Sequence, residues 1–554
     1  MPDACPPRRL WPLACTVLLL VPAGPAAAAA TASARASDTS GLHAYVRGRI
    51  AAGEGQIPLA AENLAVAGRS PDQGVDQRRF ELALLAGDQR TATRLAYAID
   101  PATLDPMAGS RFGSTRALVS LTRAVAAAGA GDWAAYARDV AALSGPETAG
   151  PPLVLTLLEA WGRAGRGDID GALAMLNPAD GSALFRSYFQ EHRAHILAVA
   201  RRWPEAAEAY GVLVAGEGAN VPRLRVQAAG ALLEAGRARP AEAAEYRARA
   251  IALLGGGPAA DPMLADARAR VLAAPRLDAR ALPGQVRTAT DGLAQLFLRL
   301  AVEAQRERGL PVAVPFARFA TFLGPTLPEA WLVAGDALGR LQLWDLALAA
   351  FAQVPQGPYT LTAQARQAQV LAAAGQTEAA RARLLALAHA PDATAQDWVR
   401  LSDIERSSGD QAAAARALDR AIALLPGDPD ASLAYIWFLR GSAHEQAGNW
   451  AAAEPDLRRA VSLSPDDPVF LNYLGYSLLD RGQSLDEADA LIARAFKAAP
   501  DNGAIIDSMG WSAYVRGNFA RAVELLEQAR AAEPADPTVA DHLGDALWRT
   551  GRRI

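Results

Sequence analysis

The chain has 554 residues, of which 51% are hydrophobic, so it has ample apolar surface to bury. Its 55 basic residues nearly balance 59 acidic ones, and the net charge of −4 gives no reason to expect a nucleic-acid partner. A globular chain of this length would form about three or four domains, whereas a repeat array grows without one central core.

Residues 1–32 predict a secretory signal peptide. Arg8 and Arg9 precede a mostly apolar run from Leu10 to Val21, and the small residues that follow offer cleavage sites. The run is too short to span a membrane as a helix. Both cysteines of the chain lie in this segment, so the mature protein would have no disulfide. We therefore predict an exported protein, without an integral membrane segment after cleavage.

Residues 33–255 predict helical repeats with a weak internal pattern. Gly48, Ala60 and Ala67 are spaced by 12 and 7 residues, and the pairs Gly87-Asp88 and Gly131-Asp132 are typical of turns between antiparallel helices. Residues 256–290 interrupt the pattern with clusters of glycine and proline. We predict an irregular bend or linker there.

Residues 291–554 carry the strongest signal in the chain, which is an internal repeat. The spacing of 12 and 7 residues recurs between small residues, as in Gly510, Ala522 and Ala529. Each unit predicts two helices joined at a glycine, and proline closes several units because it cannot continue a helix. The units begin 33 to 39 residues apart, near residues 328, 361, 395, 434, 468, 503 and 537.

The spacing has a physical reason, since small residues are needed wherever two helices cross closely. One unit cannot cover its own apolar faces, so neighbouring units must stack. This pattern resembles the tetratricopeptide-repeat (TPR) family. The resemblance implies an all-α fold, a right-handed TPR superhelix that is an α-solenoid of antiparallel helix pairs. Residues 33–255 would be degenerate TPR-like repeats, and 291–554 a regular array with a terminal capping helix.

The resemblance also implies where partners bind. In TPR proteins, positions 2, 5, 9 and 12 of the first helix of each unit line a concave groove. Aromatic residues there are typical binding hot spots, and carboxylates among them favour arginine or lysine in a peptide. Two alternatives stay open, since these aromatic residues could instead pack between units or, at Trp548, seal the array. The groove candidates are Asn472, Tyr476, Asp507, Trp511, Tyr514, Asp541, Asp545 and Trp548.

The sequence contains no motif typical of catalysis. It has neither a phosphate-binding loop nor a G-x-S-x-G nucleophile motif. His192 and His195 could share a helix face, but a metal site needs further ligands, so we expect solvated or half-buried structural histidines. We predict no catalytic residue, no metal and no cofactor.

The predicted function is a non-catalytic protein–protein interaction scaffold in the bacterial cell envelope. The layout of a signal peptide followed by a long repeat array is similar to periplasmic TPR scaffold proteins, and this resemblance implies a periplasmic location. The resemblance implies protein or peptide partners, such as an envelope protease, a cell-wall hydrolase or an assembly complex. Two alternatives remain, namely a superhelical cell-wall enzyme of the lytic-transglycosylase kind and a glycan-binding module, because stacked aromatic residues also suit sugars.

Overall fold

A computed structural model describes most of the chain. The described residues are 28–67, 73–104, 109–110, 113–143, 152–177, 182–216, 221–255, 261–274, 278–306, 309–391, 393–425, 427 and 433–552. Their side chains are described from residue 41 onward, except at 73, 109, 110, 113, 152 and 310. The predicted signal peptide lies outside them, except for residues 28–32, which begin the first helix.

The described part of the chain contains 28 α-helices and very few other secondary-structure elements. The predicted all-α fold is therefore confirmed. The exceptions are three short 3-10 helices, Pro101–Thr103, Pro240–Glu242 and Ala279–Ala281, and an antiparallel pair of two-residue strands, β1 (Gly109–Ser110) and β2 (Gly113–Ser114). The helices are α1 (Ala28–Gly53), α2 (Ile57–Ala67), α3 (Gln73–Ala86), α4 (Gln89–Ala98), α5 (Thr115–Ala130), α6 (Trp133–Ala141), α7 (Pro152–Gly165), α8 (Ile169–Met175), α9 (Ala183–Val199), α10 (Trp203–Ala215), α11 (Pro222–Ala238), α12 (Ala243–Leu254), α13 (Pro262–Ala273), α14 (Ala289–Arg306), α15 (Leu310–Leu323), α16 (Pro328–Arg340), α17 (Trp344–Ala352), α18 (Thr360–Ala373), α19 (Thr377–Ala388), α20 (Ala395–Ser407), α21 (Gln411–Ala423), α22 (Ala434–Gln446), α23 (Trp450–Leu463), α24 (Pro468–Asp480), α25 (Leu485–Ala498), α26 (Gly503–Val515), α27 (Phe519–Ala532) and α28 (Pro537–Arg549).

The helices form two compact units that alternate along the sequence. One unit contains residues 1–200 and 287–323, and the other contains residues 201–286 and 324–554. The sequence-based boundaries near 255 and 291 remain predictions and do not coincide with this division. The predicted irregular stretch 256–290 also includes a regular helix, α13.

Buried polar contacts explain why α14 and α15 belong to the first unit. Arg299 in α14 donates from Nη1 to Glu191 Oε2 of α9 at 2.6 Å. In α15, the buried side chain of Arg318 donates from Nε and Nη2 to the carbonyl oxygen of Leu85, at 3.2 and 3.0 Å. Burial lowers the pKa of Arg318 to about 10. Unpaired buried polar groups are costly, so these bonds fix both helices to the N-terminal part of the unit.

The two neighbouring histidines of α9 lie in the core of this first unit. Both His192 and His195 are fully buried, so the expectation of solvated or half-buried side chains was wrong. The indole N–H of Trp161 donates to His192 Nδ1 at 3.2 Å, and the carboxylate of Glu191 lies 3.5 Å from His195 Nε2. These partners give both rings a structural role.

The second unit stacks helix pairs in the predicted register. The last seven repeats of this compact unit each have a first helix that begins within one residue of the predicted start. These helices begin at residues 328, 360, 395, 434, 468, 503 and 537. The predicted crossing points are tight. A Cβ added to Gly335, Gly441, Gly475 or Gly510 would lie 2.5 to 2.8 Å from a side chain of the following helix. The small-residue spacing therefore marks helix crossings, as predicted.

The turns between paired helices also follow the prediction. The glycines at 375, 409, 448, 482, 517 and 551 all have positive φ angles, between 62° and 84°. Glycine adopts this conformation at no steric cost. In one unit the small residues Gly475 and Ala488 are 13 residues apart, one more than the usual 12. The extra residue is accommodated at Ser484, whose φ of 45° places it in the left-handed region directly before α25. The insertion therefore changes the turn and leaves the helix crossing intact.

Candidate interaction surface

The candidate surface is built on three first helices of successive units, α24, α26 and α28. Each begins at a side-chain cap, where Asp467, Asn502 and Asp536 accept backbone N–H bonds from the first turn. Such caps satisfy N–H groups that would otherwise lack a partner, and so fix where each helix begins. The start of each helix then determines which residues fall at positions 5, 9 and 12.

Three rings form a continuous stack on this surface, which we call the ring stack. Trp511 lies parallel to Tyr514, with centroids 4.6 Å apart and an interplanar angle of 8°. The other face of Trp511 lies against His542 of α28, at 4.1 Å and 13°. Tyr476 of α24 approaches the same imidazole at 6.3 Å. Rings from α24 and α28, the first helices of repeats that are two apart, therefore approach each other at His542.

The carboxylate of Asp507 is paired inside this arrangement. His542 Nδ1 lies 2.9 Å from Oδ2 and 3.1 Å from Oδ1 of Asp507, and both side chains are buried. This geometry favours the tautomer in which Nδ1–H donates to the carboxylate. Asp507 thus supports the ring stack and does not present a free carboxylate at the surface.

Three other predicted residues share an exposed face of α28, which we call the α28 face. Asp541, Asp545 and Trp548 are spaced by four and then three residues, so they lie on one side of the helix. All three are exposed, and 64% of Trp548 is accessible to solvent. Neither aspartate forms an ion pair within the described residues. The face thus combines a large indole with two uncompensated carboxylates.

The two predicted residues of α24 are half-buried. The side-chain oxygen of Asn472 is buried and lacks a hydrogen-bond partner among the described residues. Burial raises the pKa of the Tyr476 phenol, and the carboxylates of Asp480 and Asp507 raise it further. Both side chains are therefore partly shielded, whereas the α28 face is open to solvent.

Sequence reasoning missed two features of this region. It did not include His542 among the groove candidates, although this residue follows Asp541 directly and so lies one residue from a predicted inner position. It also omitted Tyr435, which is 52% exposed at position 2 of α22 and stacks on Phe438 with centroids 6.2 Å apart. Position 2 was already predicted to face inward, so the sequence contained the signal for Tyr435.

The described residues offer no grouping suited to metal chemistry. Nowhere among them do three or more histidine, cysteine, aspartate or glutamate side chains gather as a metal site requires. Within the same part of the chain, no helix is both long and apolar enough to cross a membrane. The chemistry on the candidate surface is that of aromatic contact, hydrogen bonding and charge.

Comparison with known proteins finds a recognised repeat in the C-terminal part of the chain. The model of the tetratricopeptide repeat matches residues 435–503 and 508–552. A curated TPR repeat-containing protein of Pseudomonas aeruginosa is 37% identical over 200 residues, which cover 36% of this chain and 33% of that protein. The match thus spans only a third of that relative.

The chain is also similar to solved structures of other proteins. YrrB, described as a TPR protein with an unusual peptide-binding site, is 19% identical, with 32% of this chain and 89% of that chain covered and a TM-score of 0.27. The Cut9–Hcn1 hetero-tetramer of APC/C is 13% identical, with 86% and 97% covered and a TM-score of 0.34.

Repeats of this kind generally form scaffolds for protein–protein interaction. The repeat spacing, the stacked helix pairs and the family match agree with one another, and they identify the helix pairs between residues 435 and 552 as tetratricopeptide repeats.

Proposed function

We propose that this chain is a non-catalytic adaptor that binds a partner protein through the inner surface near its C-terminal end. The bound segment would be one that carries arginine or lysine side chains. The observation that carries the proposal is the α28 face, where an exposed indole lies beside two aspartates without ion-pair partners.

The chemistry of the α28 face suits a guanidinium or ammonium group. A cation above an exposed indole gains about 0.5–1 kcal/mol. Carboxylates within reach add charge-assisted hydrogen bonds, which are roughly twice as strong as neutral ones. Because Asp507 is already paired with His542, Asp541 and Asp545 are the carboxylates available to a ligand. Trp548 supplies contact area at low conformational cost.

The ring stack has a supporting role in this proposal. Trp511 lies between two rings and also packs against the apolar core around Leu474 and Ile492. Replacing it would disturb folding as well as binding, because core aromatic residues cost about 3–5 kcal/mol to truncate. Substitutions on the α28 face separate binding from stability more cleanly.

We place the adaptor in the periplasm, with an envelope protease, a cell-wall hydrolase or an assembly complex as the partner. The support is the basic and apolar pattern of residues 1–32. Fractionation followed by N-terminal sequencing tests this placement. A periplasmic protein that begins near residue 33 is expected, and an unprocessed cytoplasmic protein would contradict the proposal.

The binding proposal is tested with short fluorescent peptides that carry arginine, measured by anisotropy against the full chain. The matched peptides replace each arginine with citrulline, which keeps the shape and removes the charge. We expect Trp548→Ala, and separately the pair Asp541→Asn with Asp545→Asn, to weaken binding of the arginine peptides about 5- to 30-fold. The citrulline peptides should bind weakly to every variant.

A charge-matched control uses two exposed aspartates in the loops before α24 and α26. The pair Asp466→Asn with Asp501→Asn removes the same charge away from the α28 face and should leave affinity unchanged. Equal loss in both double variants would show unspecific electrostatic attraction. Binding of glycans in place of peptides, or turnover of purified cell wall by the wild-type chain, would instead favour one of the two alternative functions.

A further inference from the structure

The first helix pair, α1 and α2, exposes an unusual amount of apolar surface. Among the described residues fifteen large apolar side chains are exposed, and five of them lie in this pair. Leu42, Val46 and Ile50 are spaced by four residues along α1, and Leu59 and Val66 by seven along α2. These spacings place each set on one side of its helix. We call this surface the α1–α2 face.

The α1–α2 face is distinct from the face through which the pair packs. Ala44 and Ala51 of α1 and Ala60 and Leu64 of α2 are buried. A Cβ added to Gly48 would lie 2.7 Å from Leu64, which shows how closely the two helices cross. A helix face that stays in contact with water normally carries charged and polar side chains. The α1–α2 face departs from this rule, because its exposed centre is aliphatic.

Charges of both signs surround the apolar centre. A cleft of about 560 Å³ between the helices is lined by Ile50, Leu59 and Val66, together with Arg47 and Glu62. Arg47 and Glu62 form no ion pair within the described part of the chain. A surface that carries both an unpaired cation and an unpaired anion beside an apolar centre is complementary to itself under two-fold symmetry.

We infer that the α1–α2 face is a homodimer interface, in which two copies of the chain pack face to face as a four-helix bundle. Two helix pairs that bury one apolar face each are the usual components of such a bundle. Arg47 of each copy would pair with Glu62 of the other at the rim. At about 1.5 Å per residue, residues 33–53 of α1, which remain after the predicted cleavage, extend over roughly 32 Å. Stable dimers bury roughly 800 Å² per partner, so the contact would extend along both α1 and α2.

The test is the oligomeric state of the full chain, measured by sedimentation velocity over a concentration series. We expect wild-type dimers and a mostly monomeric Val46→Glu, Ile50→Glu variant, with a dissociation constant raised at least ~100-fold, because the contact would bury unpaired carboxylates. The control variant Leu272→Glu, Leu385→Glu changes equally exposed aliphatic residues outside the α1–α2 face and should remain dimeric.

Exchanging the two charges provides a second set of variants, which change exposed side chains and should leave the fold stable. Arg47→Glu and Glu62→Arg should each weaken the dimer, whereas the two together should restore it. Circular dichroism of every variant verifies that helices are retained. A wild-type chain that remains monomeric up to about 100 µM would overturn the inference. Dimers that survive Val46→Glu, Ile50→Glu would overturn it too, because the interface would then lie elsewhere.

Discussion

Two glycines at the same repeat position should respond in opposite ways to substitution by alanine. Gly510 in α26 and Gly544 in α28 both occupy position 8 of a first helix. A Cβ at Gly510 would lie 2.7 Å from Leu526 Cγ and 3.3 Å from Leu525 Cβ. A Cβ at Gly544 would meet no described atom within 4 Å. Comparing the two variants therefore separates the cost of a close helix crossing from the effect of helix propensity on stability.

The expected magnitudes follow from these contacts. Replacing glycine by alanine inside a helix stabilises it by about 1 kcal/mol. Forcing an extra methyl group into a packed crossing costs about 1–3 kcal/mol. Gly544→Ala should gain only the first contribution and become more stable. Gly510→Ala should combine the gain in helix propensity with the packing cost. The free energies of local unfolding of the two variants should therefore differ by about 1–3 kcal/mol.

Native-state hydrogen exchange is the suitable assay, because stacked repeats open locally and their stability is close to a sum over neighbours. Protection of amides in α26 and α27 should fall in Gly510→Ala, while protection in α28 should rise in Gly544→Ala. A gain in protection in Gly510→Ala as large as that in Gly544→Ala would refute the proposed crossing at Leu526, and with it the packing reason for the repeat spacing.

Two further predictions concern stability within each unit. Gly87→Ala and Gly131→Ala both place a side chain at positive φ, but only at Gly87 would the new Cβ lie 2.8 Å from a nitrogen of the buried Arg318. The melting temperature of Gly87→Ala, measured by differential scanning fluorimetry, should therefore fall further than that of Gly131→Ala. Equal falls in the two variants would contradict that contact. Burial raises the pKa of Glu329, so the folded state favours the protonated carboxyl, and the stability it contributes is lost as the pH rises. Glu329→Gln should therefore gain stability over the wild type as the pH rises from 4.5 to 8, whereas the exposed control Glu208→Gln should not; parallel profiles of melting temperature against pH would contradict this prediction.

The helix starts of the second unit were predictable because short-range rules determine them. Small residues such as Ala488 and Ala522 must lie where helices cross, and turn glycines such as Gly517 must allow a positive φ. These requirements act within one unit of sequence. The attachment of α15 to the N-terminal region was not predictable in this way, because Arg318 bonds to Leu85 across 233 residues.

The candidate surface was only partly predictable for the same reason. Helix position placed Trp511 and Tyr514 side by side, since they are three residues apart on one helix. The pairing of Asp507 with His542 depends instead on how closely successive units approach, which a single unit does not encode. That contact separates the predicted carboxylates into one that is buried and two that face solvent.

Site-specific photo-cross-linking in living cells tests the central claim most directly. A photoreactive phenylalanine analogue at position 548 would capture whatever contacts the α28 face, and the same analogue at the exposed Tyr97 of α4 serves as the control. The account predicts a discrete covalent adduct with a periplasmic protein from position 548 and none from position 97. No adduct from position 548, or the same adducts from both positions, would contradict it.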